Sequence, residues 1–169
     1  MLILAIDPGS TESGYCLISD LTLMPVEHGK IDNLNLLPII EAHAERGCPL
    51  VIERIASYGM AVGREVFGTC EWIGRFIQHF LDFGGVSVFP VFRRDEKLHI
   101  CGDPRAKDGN IRRALIDRFA KHDLKNGKGT KNNPDWFYGF KADEWAAYAA
   151  GITAIETIIQ EARRETKAD

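Results

Sequence analysis

Apolar residues fill the beginning of the chain without a break. Residues 1–6 lack the alternation of a half-exposed strand, which predicts a strand buried on both faces of a sheet. Pro8 and Gly9 end this run, because proline has no N–H for the strand ladder and glycine accepts turn conformations. Asp7 is therefore predicted to end a central strand, with its carboxylate at the edge of the sheet.

A second short apolar run also closes on an acid. Residues 49–53 read Pro-Leu-Val-Ile-Glu, which predicts a buried strand parallel to the first. Parallel strands end at the same edge of a sheet, so we expect Asp7 and Glu53 to be neighbours. A carboxylate in such a place is costly unless a cation, a donor or water meets it.

The remaining periodicity predicts one α/β domain over residues 1–169, with a mixed sheet of about five strands flanked by helices. Further strands are expected at residues 15–18, 21–31 and 86–91, and helices at 34–46, 65–83, 93–100, 109–121 and 142–164. Pro90 interrupts the last strand. The glycine-rich stretches 56–64 and 125–134 are predicted loops, the second with nothing to bury.

Composition narrows the class of protein. The chain is 45% hydrophobic and 27% charged, as expected of a globular protein, and it has no apolar run of about 18 residues that would span a membrane. The beginning lacks the basic region of a signal peptide. The four cysteines are widely spaced without a CxxC pair, which argues against structural zinc and favours reduced thiols in a cytoplasmic protein.

Charge is unevenly distributed along the chain. The net charge of −3 by itself argues against nucleic acid, but residues 93–131 hold twelve Lys and Arg against six Asp and Glu. This asymmetry allows a basic surface beside an acidic site, and a merely solvated, charge-rich helix and loop is the alternative.

A third acidic group, Asp143 with Glu144, opens the last predicted helix. Clustered carboxylates repel each other unless a divalent cation neutralises them, and their oxygens suit Mg²⁺ or Mn²⁺. Two such ions about 4 Å apart can support phosphodiester hydrolysis. The alternatives are that Glu53 pairs with Arg54 or Arg64 and that the helix acids only favour its N-terminus. The joint occurrence with two strand-ending acids favours a metal site.

Four segments together resemble the RuvC family of Holliday junction resolvases, which belongs to the RNase H-like superfamily. Residues 3–15 (Ile-Leu-Ala-Ile-Asp-Pro-Gly-Ser-x-x-Ser-Gly-Tyr) are similar to the opening motif of this family, and residues 50–55 (Leu-Val-Ile-Glu-Arg-Ile) to its second acidic strand. Residues 95–107 resemble its basic third segment, and residues 143–153 its final helix. The likeness runs in order over nearly the whole chain, and the short length resembles phage-encoded members.

This resemblance implies an RNase H-like fold, a homodimer, Mg²⁺ or Mn²⁺ with two ions per active site, and paired nicking of four-way DNA junctions. A phage-encoded member would act in the host cytoplasm. The family has four acidic ligand positions, of which Asp7, Glu53 and Asp143 match three. The fourth position, three residues after the third, falls on Ala146. Glu144 is the nearest candidate to replace the missing ligand.

The resemblance also implies residues that contact DNA. Lys97, Arg105 and Lys107 are similar to the basic residues of the family near the scissile phosphate, and Arg94 lies in the same segment. In the glycine-rich loop, Ser57, Tyr58 and Met60 could contact the centre of the junction, although a packed loop is the more common outcome. The helix predicted at residues 65–83 is a plausible dimer interface, and the five histidines are expected to be structural.

Three other functions remain open at this point. Asp7, Gly9 and Gly14 also fit the DxGxxxxG phosphate loop of actin-like ATPases and sugar kinases, but those proteins need two such domains and a second phosphate loop. A nuclease of the same fold could act on RNA or on branched replication DNA. Because of Ala146, a catalytically weak junction-binding protein is a further alternative.

Overall fold

The computed structural model describes residues 1–57, 59, 61–159 and 161. Its strands are β1 (Leu2–Asp7), β2 (Glu12–Ser19), β3 (Pro25–Asp32), β4 (Leu50–Arg54) and β5 (Val88–Phe92). Its α-helices are α1 (Asn33–Glu45), α2 (Arg64–Asp82), α3 (Arg93–Cys101), α4 (Asp108–Phe119) and α5 (Glu144–Ala154). A π-helical turn, Ile155–Ile159, extends α5.

The five strands form one mixed sheet in the order β3-β2-β1-β4-β5. Strands β1 to β3 are antiparallel neighbours, while β4 is parallel to β1 and β5 is parallel to β4. This confirms the predicted α/β fold. Pro90 does not break β5, because β5 lies at the edge of the sheet, where a missing N–H can face away from the ladder.

Helices cover both faces of the sheet, so the central strand is buried on each side. Leu4 and Ile6 of β1 pack with residues of α1 and α2, whereas Ile3 and Ala5 pack with residues of α4 and α5. All four side chains are fully buried. The uninterrupted apolar run that opens the sequence follows from this double coverage.

The small residues of α5 bring this helix close to the sheet, as the sequence predicts. A Cβ atom on Gly151 would lie 2.3 Å from Ile18 and 3.0 Å from the Cβ of Ala5. The backbone of α5 therefore lies almost directly on β1 and β2. The predicted end of this helix at residue 164 lies outside the described residues.

The largest departure from the predicted elements is at the third strand. Residues 21–24 form a turn instead, in which the N–H of Ser19 donates to the carbonyl of Met24 and Leu23 takes a positive φ of 62°. Strand β3 begins only at Pro25. Within the described part of the chain, no helix is long and apolar enough to cross a membrane.

Candidate active site

Two acids lie side by side at the edge of the sheet. Strands β1 and β4 are parallel, with Ile6 opposite Ile52, so Asp7 and Glu53 follow at neighbouring strand ends. This is the arrangement that the two apolar runs predict. The two carboxyl groups are close enough for the charge of Glu53 to raise the pKa of Asp7.

Buried hydrogen bonds fix the turn that follows Asp7. The N–H of Gly9 donates to Ser13 Oγ, which donates to Asn33 Oδ1 over 2.6 Å, and Asn33 Nδ2 donates back to the carbonyl of Gly9. Ser13 and Asn33 are both almost completely buried. Sequence reasoning missed their role. Ser13 lies inside the opening motif, but Asn33 gave no signal because its contact is tertiary.

Gly14 allows the third acid to approach. It pairs with Asp7 across β1 and β2, and a Cβ at this position would lie within 2.5 to 2.9 Å of the backbone and Cβ of Asp143. The start of α5 can therefore lie directly over the sheet edge only because this residue is glycine. Asp143 is the N-cap residue of α5.

One cavity of about 400 Å³ contains the three acids. Its walls come from both parallel strands and from helices α3, α4 and α5. The lining residues are Asp7, Glu53, Arg93, Asp108, Ile111, Arg112, Ala142, Asp143, Trp145 and Ala146. Residues far apart in the sequence thus meet in one acidic cleft at the carboxyl ends of the parallel strands.

Burial and mutual repulsion favour the protonated forms of the two strand-end acids. Burial, then the charges of Glu53 and Asp143, raises the pKa of Asp7 well above its usual range. Burial, then the charge of Glu96, raises the pKa of Glu53 as well. Both shifts express the cost of ionised carboxylates in a confined site, which a bound cation would remove.

Two basic side chains that the sequence analysis did not identify form ion pairs with acids of this site. Lys30 Nζ lies 2.8 Å from Asp143 Oδ2. Arg93 Nη1 lies 3.7 Å from Glu53 Oε2 and 2.7 Å from Glu96 Oε2. Lys30 reaches the site from β3 across the sheet, a placement that only the strand register reveals. Arg93 lies next to Arg94, the residue that the sequence analysis chose.

The donor set partly fits a divalent cation. Asp7 and Glu53 supply hard oxygen ligands, and Glu53 Oε2 is buried and accepts no hydrogen bond within the described chain. However, no group of three or more Asp, Glu, His or Cys side chains among the described residues is arranged to hold a metal ion. The carboxylate of Asp143 forms an ion pair with Lys30 in this arrangement.

Glu144 does not lie with the other acids. Its Oε2 atom lies 2.7 Å from His28 Nδ1 and also accepts the N–H of Lys141. The side chain is 6% exposed and is absent from the acidic cavity, whereas Ala146 lines it. Helix geometry separates Glu144 from Ala146, because residues two positions apart on a helix point about 200° apart. Glu144 joins α5 to β3 instead of replacing the fourth acid.

We therefore expect Glu144→Gln to change stability and not chemistry. The change removes the negative charge that faces His28 in a nearly buried contact, which should cost about 2 kcal/mol of unfolding free energy. The junction cutting that the sequence resemblance implies should remain within a few-fold of the wild-type rate at 25 °C. A variant that unfolds like the wild type but fails to cut would place Glu144 in the chemistry after all.

Three of the predicted DNA-binding residues share a second cavity. Arg94, Lys97 and Arg105 line a space of about 500 Å³ together with Pro104 and Arg93. Arg93 borders the acidic cavity too, so the two cavities adjoin. Lys107 is exposed at the N-cap of α4 and does not line this space.

The glycine-rich loop is only partly described. Ser57 is exposed in it, away from the lining of both cavities, while Tyr58 and Met60 lie outside the described residues. The loop precedes α2, on which Phe67 and Leu81 are exposed apolar side chains.

Comparison with solved structures shows which fold this is. The chain is similar to a structure of Thermus thermophilus RuvC, with a TM-score of 0.63 and 13% identity over 95% of this chain and 97% of that one. It is similar also to T. thermophilus RuvC in complex with a Holliday junction substrate, with a TM-score of 0.62 and 13% identity over 94% and 96%. No family model and no curated protein sequence matches. The fold is thus RuvC-like, and the likeness lies in the structure and not in the overall sequence.

Proposed function

We propose that this protein is a structure-selective endonuclease that resolves four-way DNA junctions by paired nicking. The observation that carries the proposal is the meeting of Asp7, Glu53 and Asp143 in one cleft at the sheet edge, beside a basic cavity. The RuvC-like fold, which has been solved with a Holliday junction substrate in another protein, supports a branched DNA substrate.

We propose that Asp7, Glu53 and Asp143 hold Mg²⁺ or Mn²⁺, with two ions per site. The bound metal would activate the attacking water and neutralise charge on the leaving oxygen. Asp7 and Glu53 would bind the cation in their ionised forms, and Asp143 would bind it in place of its ion pair with Lys30. Lys30 and Arg93 partly neutralise these acids.

The basic cavity would bind the DNA backbone beside the reacting phosphate. Arg94 and Lys97 come from α3 and Arg105 from the turn before α4, so their charges converge from two segments. Contacts of this kind fix the position of the strand without reading its sequence.

We expect the junction affinity of the combined variant Arg94→Gln, Lys97→Gln, Arg105→Gln to depend less steeply on salt concentration than that of the wild type. Each lost phosphate contact should lower the slope of log K against log salt by about 0.9. Fluorescence anisotropy on a labelled junction at several salt concentrations measures this slope. Arg46→Gln, an exposed charge at the end of α1, serves as a control on the opposite face. An unchanged slope would place the DNA elsewhere.

We propose that the active form is a homodimer, because a four-way junction has approximate two-fold symmetry and needs two coordinated cuts. Helix α2 presents Phe67 and Leu81 to solvent and is the proposed interface. Light scattering at concentrations where cutting occurs should give twice the 18.9 kDa mass of one chain. A purely monomeric active species would reject this assembly.

Cutting of defined substrates tests the proposal directly. Four-way, three-way, flap and linear duplex DNA and an RNA–DNA hybrid would be compared side by side with and without Mg²⁺. We expect symmetric nicks in the four-way junction and much slower cutting of linear duplex. Equal cutting of all substrates would contradict junction selectivity, and preferential cutting of the hybrid would favour an RNA-directed nuclease.

A junction-binding protein with weak catalysis is the second candidate function. Ala146, which lines the acidic cavity, has no side-chain atom that could bind a metal ion, and the carboxylate of Asp143 forms an ion pair with Lys30. This alternative predicts tight junction binding with nicking that stays close to background at any Mg²⁺ or Mn²⁺ concentration. The same assay therefore separates the two functions.

A further inference from the structure

The basic stretch between α4 and the aromatic residues before α5 is held in a defined conformation. We call residues 125–131, with Lys125, Lys128 and Lys131, the lysine loop. The carboxylate of Asp123 accepts the backbone N–H groups of Asn126, Lys128 and Gly129 at 3.0, 3.1 and 2.9 Å. A loop that the sequence suggests has nothing to bury is thus organised around one acid.

The middle of the lysine loop is fastened to the core. Gly127 is buried with a φ of 72°, and a Cβ there would lie 2.8 Å from the ring of Phe137. Its carbonyl accepts the N–H of Phe137 over 2.8 Å, and its N–H donates to the carbonyl of Asp123. Arg113 also donates to the carbonyl of Leu124 at the entrance of the loop. The loop backbone is therefore fixed before any partner arrives.

The described part of the chain does not neutralise the charges of the three lysines. None of their ammonium groups forms an ion pair with a described residue. The carboxylates of Asp123 and Asp135, which lie beside the loop, accept backbone N–H donors, and these donors lower the pKa of each. Lys125 and Lys131 are exposed and Lys128 is half-buried. A rigid backbone thus presents three unneutralised charges.

This basic surface continues from the acidic cavity. A space of about 320 Å³ is lined by Lys125 and Lys128 and shares Arg112 and Trp145 with the acidic cavity. The guanidinium carbon of Arg112 lies 5.2 Å from the centre of the Trp145 ring. Arg112 therefore borders both spaces, supported by a buried indole.

We propose that the lysine loop binds the backbone phosphates of a DNA strand that leaves the acidic cavity past Arg112. This inference rests on the proposed nuclease function and adds a second backbone-binding surface, which adjoins the acidic cavity at Arg112 and Trp145 instead of at Arg93. Lysines act as point charges that bind phosphate without reading bases. Because the loop is preorganised, little conformational entropy is lost on binding.

The salt dependence of junction binding tests the inference. The triple variant Lys125→Gln, Lys128→Gln, Lys131→Gln should lower the slope of log K against log salt by about 2.7, at about 0.9 per phosphate contact. Between 50 and 200 mM salt, the wild type should then lose about 40-fold more affinity than the variant. The triple Lys→Arg variant keeps the charge and should retain the wild-type slope. If the triple Lys→Gln variant had the same salt slope as the wild type, the inference would be overturned.

A single-charge comparison and a cutting assay complete the test. Lys125→Gln should lower the slope by about 0.9, whereas Arg46→Gln, on the opposite face of the sheet, should leave it unchanged. The Arg46→Gln control should also cut junctions at the wild-type rate, because Arg46 lies at the end of α1, outside the acidic cavity and the lysine loop. If the wild type does not cut but its binding still depends on these lysines, the nuclease proposal fails and the phosphate surface stands. Binding of an acidic protein alone, with no loop-dependent DNA binding, would overturn the inference.

Discussion

Asp7→Asn and Glu53→Gln should each abolish junction cutting while leaving binding intact or tighter. Each change removes one of the two half-buried carboxylates that we propose to hold the metal, with little change in shape. Removing a residue that only hydrogen-bonds to a metal ligand already lowers metal affinity or activity about 10- to 100-fold. Loss of a ligand itself should therefore slow cutting by more than about 100-fold. Binding should not weaken, because the phosphate loses a repulsive neighbour. Single-turnover cutting and anisotropy measure the two quantities separately.

The stability of the folded protein gives a second test of the metal site, which does not depend on cutting activity. The raised pKa of Asp7 means that its ionisation destabilises the metal-free folded state increasingly as pH rises above the ordinary value of about 4. Asp7→Asn should therefore unfold at a higher temperature than the wild type at pH 8 without metal. Added Mg²⁺ should stabilise the wild type but not the variant.

Glu45→Gln is the matched control for Glu53→Gln. Glu45 ends α1, exposed and outside the acidic cavity, so its loss should leave cutting and metal-induced stabilisation unchanged. Asp143→Asn should also abolish cutting if Asp143 exchanges Lys30 for metal. A near-normal cutting rate in Asp7→Asn would rule out the two-metal proposal.

Asp135→Asn should have the largest effect on folding stability. The buried carboxylate of Asp135 accepts the backbone N–H groups of Lys121, His122, Asp123 and Trp136. An amide presents two N–H donors where these donors converge, so several hydrogen bonds are lost in a buried place. We expect a loss of about 3 kcal/mol in the free energy of unfolding, measured by urea denaturation. Asp117→Asn, an exposed acid on α4, should change little.

The pH dependence of this effect has a definite sign. Burial alone would raise the pKa of Asp135, but the four backbone donors hold it well below its usual range. The stabilisation is therefore fully present above about pH 4 and is lost as pH falls toward the folded-state pKa. The stability difference between wild type and Asp135→Asn should narrow in acid. A difference that stays constant from pH 7 to pH 3 would contradict this account.

The sequence by itself determined the main architecture and the two strand-end acids. Unbroken apolar runs ending in Asp7 and Glu53 required buried parallel strands, and parallel strands place their ends at one edge. The glycine and alanine content of the last helix required close packing on the sheet. These patterns lie within short stretches of the chain, so they can be interpreted without knowing the rest of the fold.

Only the tertiary structure decided which charges surround those acids. Lys30 meets Asp143 because β3 lies beyond β2 in the sheet, and Glu144 meets His28 because α5 crosses at one particular rotation. The lysine loop, which reads as loose in sequence, is fixed because Asp123 gathers backbone donors and Gly127 is buried against Phe137. Contacts between residues distant in sequence depend on register and rotation, and neither leaves a periodic pattern in the chain.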